Sequence, residues 1–244
     1  MKYHSTAGEV DAIATIDLTV ARGEFVSIVG PSGCGKSTLL SILAGLVAPS
    51  GGSVLVDGKP AVKHGGAIGY MFQRDHLFPW RNILQNALLG LEIGGKRTAE
   101  NVEYVKGLLE KYGLGEFAAL KPAQLSGGMR QRAALIRTLA TRPKILLLDE
   151  PFSALDYQTR LYVSEEIRDI LAAENMTAIL VTHDISEAIA LSDRVVVLSR
   201  RPSIVKNIHT IDLGLDTKSP ISARKSGRFP EYFDKIWKEL DYNE

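Results

Sequence analysis

The sequence is poor in several features, and each absence excludes a class of protein. Cys34 is the only cysteine among 244 residues, which excludes an internal disulfide and a multi-cysteine metal site and favours a reducing compartment. No apolar run approaches the roughly 18 residues that span a bilayer, and the N-terminus has no secretory apolar segment. We therefore expect a chain that does not itself cross a membrane.

The sequence also lacks an excess of charge of one sign. Lysine and arginine total 29 and aspartate and glutamate total 28, which gives a formal net charge of +1. Proteins whose main partner is a nucleic acid usually carry a clear basic excess, so we expect no nucleic-acid partner. With 45% hydrophobic and 23% charged residues, the composition is that of a folded globular protein rather than a disordered one.

Short apolar runs predict a mostly parallel sheet. The clearest four are Glu24–Val29, Lys144–Leu148, Ala178–Val181 and Arg194–Leu198. They are nearly continuous in apolarity rather than alternating, as are strands that are buried on both faces of a parallel sheet. Because helical patterns lie between them, the predicted fold class is α/β.

The chain is predicted to divide into three parts. Residues 1–73 and 143–215 form the α/β core, and residues 74–142, which contain no convincing strand, form an inserted α-helical lobe. Residues 216–244 form a more polar tail that ends in an amphipathic helix. Its apolar side chains recur at spacings of three and four: Phe229, Phe233, either Ile236 or Trp237, and Leu240. Such a helix more often packs on its own core than on a partner.

A phosphate-binding loop follows the first of these apolar runs. The pattern G-x-x-x-x-G-K-[ST] is matched by Gly30, Pro31, Ser32, Gly33, Cys34, Gly35, Lys36 and Ser37, followed by Thr38. Glycines let the backbone aim N–H groups at a phosphate, and the following helix adds its positive dipole end. Lys36 can reach the β- and γ-phosphates, and the Ser37 hydroxyl can ligate Mg²⁺. The Cys34 side chain is expected to point away from the phosphate; the alternative is a thiol activated by Lys36.

Two carboxylates and a histidine follow buried strands. Asp149 and Glu150 end the apolar run Ile145–Leu148, where a charge is costly unless it has a partner. In a nucleotide site, Asp149 can hold Mg²⁺ and Glu150 can act as general base on the attacking water. His183 follows the run that ends at Val181, at the sheet edge where ligands of α/β proteins bind, and can sense the γ-phosphate.

A third motif decides between classes of ATPase. Its residues are Leu125, Ser126, Gly127, Gly128, Met129, Arg130, Gln131 and Arg132. It resembles the signature of the ATP-binding-cassette (ABC) ATPases, and the resemblance covers the chain nearly end to end. By this resemblance, Gln73 is the Q-loop glutamine and a metal ligand, Asp156 belongs to the ATP-contacting D-loop, and His183 is the switch histidine. The resemblance also implies a P-loop NTPase core whose mostly parallel sheet carries an antiparallel β sub-sheet.

The resemblance implies a second copy of the chain as partner. Ser126, Gly127 and Gly128 open a helix whose free N–H groups and hydroxyl make a second anion site. In the family, this site caps the ATP held by the other copy, in a head-to-tail homodimer that ATP closes and hydrolysis opens. Tyr3 resembles the aromatic residue that stacks on adenine. Only two residues precede it, so the family's usual first strand is expected to be missing.

The segment after the Q-loop suggests a further partner. Leu77, Phe78 and Trp80 look exposed, and aromatic side chains rimmed by arginine are typical of binding hot spots. The alternative is that they cover the core of the helical lobe. In ABC importers this region receives the coupling helix of the membrane permease. Residues 77–82 and 228–230 look most like the nitrate/sulfonate/taurine import family.

The expected function is ATP hydrolysis, with Mg²⁺, that drives a small solute through a permease at the cytoplasmic face of a bacterial plasma membrane. An extracytoplasmic solute-binding protein is then an indirect partner. The alternatives are an ATPase of an exporter or lipid-extraction system, and a scaffold ATPase of metal-cluster assembly. A DNA-repair ATPase of this family needs a long coiled-coil insertion, for which the segment between Gln73 and Ser126 is too short. The solute stays open, because the binding protein and permease recognise it.

Overall fold

The chain folds into eleven described strands and nine described helices. The computed structural model describes residues 2–5, 8–61, 67–215 and 219–240, with side chains from residue 11 onward. The strands are β1 (Lys2–Ser5), β2 (Gly8–Asp11), β3 (Ile13–Thr15), β4 (Phe25–Val29), β5 (Leu55–Val56), β6 (Lys59–Pro60), β7 (Ile68–Met71), β8 (Ile145–Asp149), β9 (Thr177–Val181), β10 (Arg194–Leu198) and β11 (Ser203–Thr210). The helices are α1 (Lys36–Leu43), α2 (Ile83–Ala87), α3 (Leu89–Ile93), α4 (Ala99–Lys111), α5 (Gly127–Leu139), α6 (Tyr157–Ala173), α7 (Ile185–Leu191), α8 (Pro220–Ala223) and α9 (Phe229–Leu240), with a 3₁₀ turn at Pro122–Gln124.

Seven strands form one sheet in the order β3-β11-β10-β4-β9-β8-β7. The five strands from β10 to β7 run parallel, whereas β11 is antiparallel to β10. The four apolar runs of the sequence are β4, β8, β9 and β10, so the α/β class is confirmed. The other antiparallel strands form two hairpins, β1–β2 and β5–β6.

Successive residues of the central strands pack on opposite faces of the sheet, because side chains alternate along a strand. On β4, Phe25 belongs to the apolar cluster that contains Leu135 of α5, whereas Val26 belongs to the cluster that contains Leu40 of α1. The helix that follows the phosphate-binding loop and the helix of the signature motif therefore cover different faces of the sheet.

The segment between β7 and β8 is helical, as predicted. Residues 75–142, all of which the structure describes, contain α2 to α5 and no strand. A Cβ atom on Gly128 would lie 2.7 Å from Cγ2 of Val163, so α5 and α6 approach each other more closely than any larger residue would allow. The boundaries of the three predicted parts remain predictions.

At the N-terminal end the structure corrects the sequence prediction, and at the C-terminal end it agrees with it. The expectation of a missing first strand is wrong, because Lys2–Ser5 forms β1 and pairs antiparallel with β2. The amphipathic helix predicted near the C-terminus is α9. Its Ile236 and Leu240 are buried in a cluster with Ile189 of α7, so this face packs on the chain's own core.

A buried carboxyl group lies in α7. The side chain of Glu187 is nearly inaccessible to solvent, and burial raises its pKa to about 7. A hydrogen bond with Thr182 lowers the pKa, but by less than burial raises it. In the unfolded chain the pKa is near 4.5, so between these two values the folded state holds a proton that the unfolded state does not. The stability that results is complete below pH 4.5 and is lost as the pH rises through 7.

We expect Glu187→Gln to remove this pH dependence. The neutral amide avoids the burial of a charge, so the variant should be more stable than the wild type at pH 8, by up to about 3 kcal/mol, and similar to it at pH 5. Thermal melting at both pH values measures this, with the exposed Glu116→Gln as the matched control. If Glu187→Gln changed the melting temperature equally at both pH values, the raised pKa of Glu187 would be contradicted.

Candidate nucleotide site

The register of the sheet brings the carboxyl ends of four strands to one edge. Val181 of β9 pairs with Ile28 of β4 on one side and with Asp149 of β8 on the other. Met71 of β7 pairs with Leu148. Ligands of open α/β sheets bind at this edge, and the loop after each of these strands carries residues that the sequence analysis selected.

The loop after β4 has the geometry of an anion cradle. Gly33 and Gly35 have φ angles of +75° and +107°, which L-residues with a side chain rarely adopt. α1 begins at Lys36 with Gly35 as its N-cap and no side-chain capping bond. The first N–H groups of α1 are thus left to an anion rather than to a cap.

The Lys36 ammonium is held inside this loop. Its Nζ donates hydrogen bonds to the carbonyl oxygens of Gly30 at 2.8 Å and Pro31 at 3.1 Å, and the side chain is buried. A cavity of about 330 Å³ opens beside it, which is within the range of small-molecule sites. The lining residues are Ala12, Ser32, Gly33, Gly35, Lys36, Ser37, Thr38, Glu150 and Arg201.

Asp149 lies where a divalent cation would meet the loop. Its Oδ2 accepts a hydrogen bond from the Tyr70 hydroxyl at 3.0 Å, and its Oδ1 accepts one from Ser37 Oγ at 3.4 Å. Burial raises its pKa, and these two hydrogen bonds oppose the rise without cancelling it. A cation at this place would favour the ionised form of the carboxyl group.

The donor set fits Mg²⁺ bound together with a nucleotide. No group of three His, Cys, Asp or Glu side chains that could hold a metal occurs in the part of the chain that the structure describes. Mg²⁺ is typically held by one or two protein oxygens together with water and phosphate, which the hydroxyl of Ser37 and the carboxylate of Asp149 satisfy. The third predicted ligand, Gln73, instead donates from Nε2 to Ser153 Oγ at 3.1 Å.

Glu150 and His183 meet at the edge of the cavity. His183 Nδ1 lies 3.0 Å from Glu150 Oε2, so the sequence-predicted base and switch histidine are in contact. Glu150 has a φ angle of 45° and its N–H donates to Val181 O at 2.9 Å. Non-glycine residues in this backbone region are strained and concentrate at functional sites.

Comparison with known proteins decides the family. The model of the ABC transporter family matches residues 13–153, which is more than half of the chain. An ABC transporter ATP-binding protein of Bacillus subtilis, YtlC, is 48% identical over 98% of this chain and 92% of its own length. The nitrate import ATP-binding protein NrtD of Synechocystis is 42% identical over 93% of this chain and 85% of its own length.

The chain belongs to the ABC transporter ATP-binding proteins. It is thus an ATPase subunit that binds ATP, and its resemblance to the nitrate/sulfonate/taurine branch is confirmed. Among solved structures, the dimeric ATP-binding cassette MJ0796, bound to ADP and Pi, matches 86% of this chain and 95% of its own. Its TM-score is 0.71 at 32% identity, which confirms the P-loop fold. No described helix of this ABC protein is long and apolar enough to cross a bilayer.

The signature residues of this ABC protein start α5. Ser126 is the N-cap and its Oγ accepts a hydrogen bond from the N–H of Met129 at 3.3 Å. A Cβ atom on Gly127 would lie 3.0 Å from Cδ2 of Leu155, so this glycine, like Gly128, has a packing role that the motif alone does not show. In the D-loop, Asp156 caps α6 through the N–H of Thr159 at 3.0 Å, which lowers the pKa of that carboxyl group.

The structure tests the sequence prediction for Cys34 but not the one for Tyr3. Cys34 is buried, its Sγ would lie 2.8 Å from a Cβ on Gly30, and burial raises its pKa despite the nearby Lys36, which is the opposite of an activated thiol. The backbone of Tyr3 lies in β1. Its side chain is outside the described residues, so the predicted stacking on adenine remains a prediction.

One predicted partner contact needs correction. Leu77 is only 7% exposed and packs in the apolar cluster of the helical segment, so the expectation that it is exposed is wrong. Its N–H donates to Asp75 Oδ1 at 3.1 Å, a local turn that sends the chain inward. Phe78 is half-buried and stacks on Trp80 with ring centroids 4.9 Å apart, and Trp80 is 68% exposed.

Sequence reasoning missed Tyr70 and Arg201, and it did not predict the contacts that Ser153 makes in this site. Tyr70 holds Asp149, Ser153 holds Gln73 and also donates to Glu150 O at 3.0 Å, and Arg201 lines the cavity from a distant hairpin. None belongs to a phosphate-binding pattern. Only the pairing of β7 with β8 and of β10 with β4 brings Tyr70 and Arg201 to the site.

Proposed function

We propose that this chain is the ATP-hydrolysing subunit of an ABC importer and works as a head-to-tail homodimer. The observation that carries the proposal is that α1 and α5 cover opposite faces of one sheet. Each begins where an anion can be bound, at Lys36 and at Ser126. Ser126 does not line the cavity beside Lys36. One copy therefore offers two half-sites, and a second copy supplies the missing half of each.

The residues around the cavity have separate roles in hydrolysis. Lys36 and the N–H groups of the loop bind the β- and γ-phosphates, and Glu150 accepts a proton from the attacking water. His183, which is in contact with Glu150, orients that carboxylate and senses the γ-phosphate. Ser37, Asp149 and Gln73 would hold Mg²⁺, which neutralises charge on the phosphates.

Closure of the site is transmitted to the segment that carries Trp80. Arg130 of α5 pairs with Asp75 at 3.1 Å, and Arg137 of α5 donates to the carbonyl oxygens of Asp75 and His76, each at 2.7 Å. The segment after Gln73 is thus tied to the signature helix. A change in the position of that helix on ATP binding moves the segment with it.

The surface beside Trp80 is shaped to receive a permease helix. The fully buried side chain of Asn86 accepts from the N–H of Phe78 at 2.7 Å and donates to the carbonyl oxygens of Phe78, Arg81 and Asn82. A buried amide with four hydrogen bonds to three residues fixes the loop, so the exposed indole is presented at little entropic cost.

The relatives support the proposed import direction and the proposed kind of solute. NrtD is named for nitrate import, and residues 77–82 look like those of the nitrate/sulfonate/taurine branch. We propose a small solute of that type, delivered by an extracytoplasmic binding protein to a permease. This chain then lies at the cytoplasmic face of a bacterial plasma membrane.

Glu150→Gln tests the catalytic assignment. The amide keeps the shape but cannot accept the proton, so we expect turnover to fall by about 10²–10⁴-fold while ATP affinity is retained. ATP should then accumulate on the protein and hold it as a dimer, which light scattering with and without Mg-ATP detects. Glu116→Gln serves as control. Near-normal turnover in Glu150→Gln would remove this residue as the base.

Trp80→Ala tests the permease surface. Loss of an exposed aromatic anchor typically costs about 2 kcal/mol or more in a hot spot, roughly a 30-fold weaker association. We expect co-purification with the permease to fall while ATP affinity is unchanged. Trp237→Ala, which removes an exposed indole from α9, is the matched control. If ATP affinity fell and permease association held, the surface would have been assigned wrongly.

A further inference from the structure

The turn between β10 and β11 brings an arginine to the phosphate-binding loop. A Cβ atom on Gly33 would lie 2.8 Å from Nη2 of Arg201 and 3.7 Å from its Cζ, so the guanidinium lies directly against this glycine. Arg201 also lines the cavity that contains Lys36 and Thr38. The contact is with the loop residue whose φ angle of +75° gives the cradle its shape.

The backbone holds this turn in place from both sides. β10 pairs with β4 up to Val197 and Val29, and a Cβ on Gly30 would lie 3.1 Å from Cβ of Leu198, so the turn begins beside the loop. On the far side, the N–H and the hydroxyl of Ser203 both donate to Ala12 O, at 3.1 and 3.2 Å. Ala12 is itself part of the cavity wall.

The positive charge of the site is too small to neutralise a bound triphosphate without a second cationic side chain. Among the described residues that line the cavity, Lys36 is the only other cation, and Glu150 adds a negative charge there. A triphosphate carries more negative charge than one lysine and one divalent cation neutralise together. Within the part of the chain that the structure describes, Arg201 has no carboxylate partner. Its planar fork of donors matches phosphate oxygens.

We propose that Arg201 is a second phosphate-binding cation of the nucleotide site, contacting the phosphate tail beside Gly33. The inference rests on the nucleotide site proposed at Lys36. The contribution of Arg201 to affinity grows with the number of phosphates on the nucleotide, because the contact is with the charge of the tail and not with the base or the ribose.

The test is a series of dissociation constants for AMP, ADP and ATP, measured by calorimetry in EDTA to prevent turnover. The variants are Arg201→Ala, Arg201→Lys and, as the matched control, Arg200→Ala, which removes the same charge from the neighbouring position. We expect Arg201→Ala to weaken the binding of ATP by about five- to tenfold. The loss is modest because a charged hydrogen bond on an accessible side chain is partly screened. The affinity for ADP should fall less and that for AMP least, and Arg201→Lys should retain part of the affinity for ATP that Arg201→Ala loses.

The other outcomes overturn the proposal in distinguishable ways. Equal weakening of AMP, ADP and ATP would mean that the substitution only distorts the loop. An equal loss in Arg200→Ala would mean that the general charge of the turn matters and not a contact of Arg201. Unchanged affinities in Arg201→Ala would remove the contact altogether. A wild-type chain that bound no nucleotide would instead remove the site at Lys36 on which the inference rests.

Discussion

The sheet that separates α1 from α5 is the constraint on which the rest of the molecule depends. Phe25 and Val26 are neighbours in sequence, yet they pack in clusters on opposite faces, one under the signature helix and one under the helix of the phosphate-binding loop. Side-chain alternation along β4 thus keeps the two anion-binding helix starts apart. In the proposed homodimer the chain does not fold its own signature over its own nucleotide, so association is part of the chemistry and ATP is a ligand of two copies at once.

At the edge of the sheet, several unfavourable features meet in one small region. Burial raises the pKa of Asp149, Glu150 has a left-handed backbone that costs about 1–3 kcal/mol, and the Lys36 ammonium is buried among carbonyl oxygens. Each of these favours a polyanion with its cation. The buried strands β4, β8 and β9 hold these groups in place. The ion pair of Arg130 and the hydrogen bonds of Arg137 connect the signature helix to the segment that carries Trp80.

Sequence reasoning agreed with the structure where an element depends on contiguous residues. The glycine-rich loop, the acidic strand end and the four buried strands all follow from local pattern, and the register then placed the strand ends together. It failed where a side chain depends on a distant partner. Leu77 turns inward because of Asp75, and Arg201 reaches Gly33 only because β10 pairs with β4. The first strand was not expected, because only two residues precede Tyr3, yet Lys2–Ser5 pairs with β2.

The most direct test of composite sites is the specific ATPase activity of the isolated chain as a function of its concentration, with oligomeric state followed by light scattering. If each nucleotide needs Lys36 of one copy and Ser126 of another, specific activity should rise with concentration and approach zero where the chain is monomeric. A specific activity that stays constant down to fully monomeric concentrations would contradict the account.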